Sequence, residues 1–362
     1  MPSLFDPIQL GAIAAPNRVL MAPLTRSRSS RAHVPGPLMP LYYAQRAGAG
    51  LILSEATGIS QQGLGWPFAP GIWTDEQAEA WAAVPAAVHA AGGRIFMQLW
   101  HMGRLVHPDF LGGDAPVSAS ATTAPHKAHT YDGKKPYEAA RALDAAEIPG
   151  IVAAYAAAAR RARAAGFDGV QIHAANGYLI DQFLRDGSNL RTDQYGGTPE
   201  NRIRLLREVT EAVAAEIGAD RTAVRLSPNG ATQGVDDSAP ETVFPLAARA
   251  LADIGIAFLE LREQAPDGTF GASDAPKLSP LIRDQFAGPL VLNQDYDRAK
   301  ADADLASGVA DAISFGRKFI SNPDLVERLR TGAPIAPDVM AQWYSQGPEG
   351  YTDYPALAEA AA

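Results

Sequence analysis

AAEIPGIVAAYAAAARRARAAGFDGVQIHAANGY (residues 145–178) contains the unit on which the fold turns. Its first two-thirds are alanine-rich with helical spacing and stop at Gly166, the residue type that ends helices. FDGVQI (167–172) follows as a short, continuous apolar run. A strand with one wet face alternates apolar and polar residues; an unbroken run fits a parallel strand buried on both faces. Polar side chains then arrive together, with His173, Asn176 and Tyr178 at the end of that strand.

The same helix and strand alternation runs along the chain. RVLMAP (18–23), GLILSE (50–55), RIFMQLW (94–100), DGVQIH (168–173), TAVRLS (222–227), AFLEL (257–261), PLVLNQ (289–294) and DAISFG (311–316) read as strands. Helical patterns cover 75–92, 145–166, 198–218, 240–255 and 297–308, with Thr74 as an N-cap and Pro199 at a first helical position. The pattern predicts an α/β fold, a single (β/α)8 TIM barrel over 1–362. It has an N-terminal capping segment and a long loop after strand 3, roughly 101–143. A doubly wound open sheet is the alternative. No strand-linked G-x-G-x-x-G occurs, so a dedicated dinucleotide domain is not expected and any nicotinamide cofactor docks on the barrel itself.

Composition narrows the function. The 362 residues are 47% hydrophobic and 20% charged, the balance of an ordered globular chain. A net charge of -9 argues against nucleic acid as a partner. The absence of cysteine excludes disulfides, iron–sulfur clusters and thiolate zinc sites. No signal peptide or apolar run of transmembrane length is visible, so no membrane partner and a cytoplasmic location are the expectation.

In such a barrel the chemistry sits at the C-terminal ends of the strands. Pro23 and Thr25, Glu55 and Ala56, Gln98 and Trp100, His173, Asn176 and Tyr178, Arg225, Asn293, Gly316 and Arg317 occupy those ends. The loops after strands seven and eight are the usual phosphate site, and Arg317 offers a fork of donors there, followed by a short helix at NPDL (322–325). Arg225 reads either as a fixed charge beside an electron-rich ring or as half of a structural ion pair with a carboxylate such as Glu55. His173 and Asn176 are three residues apart, which can bring two donors over one oxygen. Metal binding by His101, His107, His173 or Asp181 is not favoured, because strand one lacks His-x-His.

MAPLTRSR (21–28), SEATGIS (54–60), QLWHMGR (98–104), HAANGYLIDQFLRDGSNLRTDQYGG (173–197), RLSP (225–228), FGRKFISNPDL (315–325) and GYTDYP (350–355) follow one another in an order and at spacings that resemble the Old Yellow Enzyme family of FMN-dependent ene-reductases. The resemblance spans nearly the whole chain, and the block from His173 is the most specific. It implies noncovalent FMN, with NADPH or NADH as transient hydride donor. Thr25 would bond the flavin carbonyl edge, Pro23 and Ala56 would give backbone contacts, and Gln98 would bind the pyrimidine part. Arg225 would face N1 and O2, Asn293 would contribute after strand seven, and Gly316 and Arg317 would hold the phosphate. His173 and Asn176 would grip a substrate carbonyl or nitro oxygen, His173 also touching the cofactor, and Tyr178 would donate a proton. Trp66, Trp100, Gln233 and Tyr351 would shape the substrate pocket. The implied substrates are electron-poor alkenes: α,β-unsaturated carbonyls, maleimides or nitroalkenes. The alternative is reduction of nitrate esters or nitroaromatics at the same flavin. A monomer or homodimer is expected. Lys318 stands where the family commonly has Pro, NQD (293–295) replaces a Gly-rich turn, and Trp66 replaces a frequent Tyr.

Overall fold

The computed structural model of the chain describes residues 2–269 and 271–357. Its centre is a closed, all-parallel barrel of eight strands. They are β1 (Val19–Met21), β2 (Ile52–Gly58), β3 (Ile95–Trp100), β4 (Gly169–His173), β5 (Thr222–Leu226), β6 (Phe258–Arg262), β7 (Leu290–Asn293) and β8 (Ala312–Phe315). Each pairs with its successor, and β8 returns to β1 through Ile313 opposite Val19. All eight expected strands are present, and the open-sheet alternative is excluded by the closure. Every residue of these strands is buried, as continuous apolar runs require.

A two-stranded hairpin, Ile8–Leu10 with Ile13–Ala15, plugs the N-terminal end of the barrel. Leu10 and Ile13 join Leu20, Leu53, Phe96 and Phe258 in one apolar cluster. Gly11 at its tip has φ +57° and lies so close to the Asp220 carbonyl that an added Cβ would sit 2.1 Å from the oxygen. With this end filled, the opposite end is the one open to a ligand.

Helices cover the outside. Thr74 caps Asp75–Trp81 with a full capping box to Gln77. The pattern read as one helix over 75–92 is two, Asp75–Trp81 and Ala83–Ala90. Pro85 has no N–H for the Trp81 carbonyl four residues back, which interrupts the ladder. The stretch 198–218 likewise divides into Pro199–Arg202 and Arg204–Ile217. The excursion after β3 carries short 3₁₀ turns and a hairpin, Lys127–Thr130 with Gly133–Pro136. No helix among the described residues is long and apolar enough to cross a membrane.

Parallel register places partners level across the sheet. His173 lies opposite Arg225, Arg225 opposite Glu260, and Arg262 opposite Asn293. Gln98 lies opposite Gln171 on the neighbouring pair. The barrel therefore gathers these polar side chains into layers near its open end.

Candidate active site

A cavity of about 1020 Å³ opens at that end. Its wall takes residues from all eight strand ends, the arrangement that lets one barrel hold a large planar ligand and a reactant together. Pro23, Thr25, Ala56, Gln98, Arg225, Asn293, Gly316 and Arg317, the expected cofactor contacts, all line it. So do Trp66, Trp100, His173, Asn176, Tyr178 and Gln233.

Tyr351 does not. It is fully buried, stacked on Tyr42 at 4.1 Å between ring centroids, beneath the cavity wall. Tyr344, seven residues earlier, faces the cavity in its place, together with Trp343. Both sit on a C-terminal segment with no periodic pattern, and they precede GYTDYP (350–355), the block on which the expectation of Tyr351 rested.

On the floor, Gln98 Nε2 donates to Gln171 Oε1 at 2.8 Å, and Gln171 Nε2 donates to Glu260 Oε2 at 2.7 Å. Glu260 also accepts from the Ser314 hydroxyl. Arg225 donates from Nη2 to Asn293 Oδ1 at 2.7 Å, and its Nε lies 3.7 Å from the Glu260 carboxylate. The carboxylate beside Arg225 is therefore Glu260, on the next strand, and not Glu55. The strand carrying Glu55 shifts register between Leu53 and Ala56, and Glu55 meets Tyr43 and the Arg26 backbone instead. Arg225 Nε is buried and makes no hydrogen bond among the described residues.

His173 and Tyr178 meet edge to face, with ring centroids 4.9 Å apart, and Tyr178 meets Trp100 in the same way at 4.9 Å. Burial, then the charges of Arg225 and Arg262, hold the His173 imidazole well below its ordinary pKa, so the ring is neutral. Its Nδ1 has no partner among the described residues. Burial also pushes the Tyr178 phenol up, with Tyr137 and Tyr344 adding to the shift. Asn176 adopts φ +59°, a left-handed conformation in which Asn is enriched. Its N–H is taken by Ser227 Oγ at 2.8 Å, and its Oδ1 accepts from Arg262 Nη1 at 2.9 Å.

Arg262 was missed in the sequence. It is the last residue of β6, the one strand whose end was not read for function, and the strand-end rule applied to AFLELR finds it. His126 also lines the cavity, reaching it from the long excursion after β3.

At the other end, Arg317 donates to Asp295 and to the Thr269 hydroxyl. Lys318 donates to the Tyr296 carbonyl at 2.6 Å. The helix expected at NPDL is present as Leu325–Thr331, with Asp324 at its N-cap position, and a further short helix, Arg317–Ser321, precedes it. Gly316 borders the cavity with φ −93° and ψ −96°, outside the ordinary helical and extended regions, and an added Cβ would meet Leu24 at 3.4 Å and Ala22 at 3.9 Å.

These features suit a flavin mononucleotide. The Gln98 amide, which lines the cavity and is held from beneath by Gln171, matches a ring edge bearing both donors and acceptors. The Arg225 guanidinium and the cation and glycine at 316–317, all on the cavity wall, suit an electron-rich ring edge and a phosphate. Among the described residues no group of three or more His, Asp or Glu is arranged to hold a metal ion.

The chain matches the NADH:flavin oxidoreductase / NADH oxidase family over residues 3–335. It superposes on the structure of an old yellow enzyme homologue from Zymomonas mobilis with a TM-score of 0.97 and 64% identity, over 98% of this chain and 100% of that one. Morphinone reductase superposes with a TM-score of 0.95 and 46% identity, over 100% and 98% of the two chains. A putative 12-oxophytodienoate reductase 11 of Oryza sativa subsp. japonica is 42% identical over 98% of this chain and 97% of its own. A chanoclavine-I aldehyde reductase of Penicillium roqueforti is 43% identical over 99% and 98%.

Proposed function

The chain belongs to the NADH:flavin oxidoreductase / NADH oxidase family, and from that premise we propose that it reduces the activated C=C bond of α,β-unsaturated carbonyls, maleimides or nitroalkenes at the expense of NADPH or NADH. The observation that carries this reading is one cavity lined by a neutral His173, by Asn176 and by the protonated phenol of Tyr178, together with the residues suited to FMN.

When bound, FMN would supply hydride transfer from NAD(P)H to the β carbon of the alkene. Pro23, Thr25, Ala56, Gln98, Arg225, Asn293, Gly316 and Arg317 would hold it. His173 and Asn176 would donate to the substrate oxygen, where negative charge develops; two fixed donors there lower the barrier because they need no reorganisation as the charge appears. Tyr178 would give its proton to the α carbon. A phenol whose pKa lies above its ordinary value stays protonated near neutral pH, so the donor is loaded there. Trp66, Trp100, Gln233 and Tyr344 would bound the space left for the alkene.

The test is direct. Protein expressed with FMN available is heated, and the released chromophore is identified by mass. The loaded protein is then mixed anaerobically with NADPH, followed by 2-cyclohexenone or, separately, a nitrate ester. Bleaching of the yellow absorbance by NADPH and its faster return with the enone are expected. FAD or no chromophore overturns the cofactor assignment. Return with the nitrate ester alone replaces alkene reduction by the nitrate ester reading.

A further inference from the structure

We propose that Arg262 is a positioning residue: it fixes the Asn176 carboxamide with its N–H side available to the cavity, and so makes the site select a ligand oxygen that accepts hydrogen bonds. This inference rests on the reading that Asn176 contacts the substrate.

The backbone around Asn176 has little freedom. Ser227 Oγ takes the N–H of Asn176, and Asp181 Oδ2 takes the N–H of Gly177 at 2.8 Å. Asp181 is itself held by Arg185 Nε at 2.9 Å. The freedom that remains at Asn176 is rotation of the carboxamide, whose oxygen and nitrogen have nearly the same shape. Packing alone cannot choose between its two orientations. A guanidinium can, because it carries five donors and no acceptor. Arg262 Nη1 lies 2.9 Å from the amide, so the atom facing it must be the oxygen. The amide N–H groups are then left for the cavity.

Arg262 is fixed in turn. Its Nε donates to Gln294 Oε1 at 2.8 Å, and Gln294 Nε2 donates to Asp295 Oδ2 at 3.1 Å. The guanidinium also polarises the amide it touches: a donor on the oxygen draws electron density and strengthens the N–H groups as donors. Reversal of the carboxamide would set an NH₂ against a buried cation, donor against donor.

Binding tests this without turnover. The FMN-loaded protein is titrated with benzaldehyde, whose oxygen only accepts, and with aniline, whose amino group donates. Wild type is expected to bind benzaldehyde more tightly. Arg262→Met is expected to reduce that preference about five- to tenfold, the worth of one buried hydrogen bond. In an Asn176→Ala background the same substitution is expected to change it less than about twofold, since coupled residues are non-additive. An undiminished preference in Arg262→Met, or an equal loss in both backgrounds, overturns the proposal. Arg262→Gln, which replaces the charge by a group able to accept, is read in the same way should Arg262→Met not fold. A protein that shows the expected pattern and yet reduces no alkene would refute the function proposed above and leave the role of Arg262 standing.

Discussion

Tyr178 packs its ring against both Trp100 and His173, so the ring is held whether or not its hydroxyl has work to do. That separates packing from chemistry in a single substitution. Tyr178→Phe keeps both edge contacts and removes the proton. Enone turnover is expected to fall about 100-fold or more, the usual contribution of a general acid, with the loss on the alkene step and not on bleaching by NADPH. Enone reduction at the wild-type rate would assign the proton to water or another side chain. Nitroalkenes are expected to suffer least, because the nitronate formed by hydride addition is stable enough to leave before it is protonated.

The connection after β4 shows why one element is so rich in hydrogen-bonding side chains. Its first residues line the cavity and its tail holds them still. Arg185 pairs with buried Asp181, Asn189 donates to the Phe183 and Tyr195 carbonyls at 2.7 Å, and Arg191 bridges to Asp193 at 2.5 Å. The end of β2 is held differently. Burial raises the Glu55 carboxyl from 4.5 to about 7, against the lowering effect of the Arg26 N–H. The folded protein therefore keeps a proton that the unfolded chain releases above 4.5. The stability Glu55 contributes is full below that pH, falls as pH rises to about 7, and is constant beyond. Glu55→Gln should accept the same N–H without titrating. It is expected to match wild type near pH 4 and to exceed it by about 3 kcal/mol at pH 8, measured by urea unfolding. Parallel pH profiles for the two proteins would contradict the raised carboxyl. Elements of this kind were legible in the sequence where burial imposed a pattern: all eight strands stand out because both of their faces are dry. The break at Ala82 and the additional helix Arg317–Ser321 were not, since a proline inside a good helical pattern and a five-residue helix leave periodicity almost unchanged.

At the scale of the molecule, the site is assembled from both ends of the chain. Arg26 donates to the Trp343 carbonyl at 3.1 Å and to the Gly350 carbonyl at 2.6 Å, and Arg28 donates to the carbonyls of Trp343 at 2.9 Å and Glu349 at 3.0 Å. This clasp sets Tyr344 at the cavity beside Trp66, with ring centroids 5.2 Å apart. Tyr351 was expected in the pocket because it stands in GYTDYP (350–355), and contacts across more than three hundred residues carry no local signal that points to Tyr344 instead. The strand-end residues, by contrast, were legible because barrel geometry alone brings them together. Whether these residues act on an alkene, the product decides. FMN-loaded protein is incubated anaerobically with 2-cyclohexenone and limiting NADPH, and the mixture is analysed by chromatography and mass. Cyclohexanone formed one for one with NADPH consumed is the expected result; allylic alcohol, or NADPH consumption with the enone recovered intact, would contradict it.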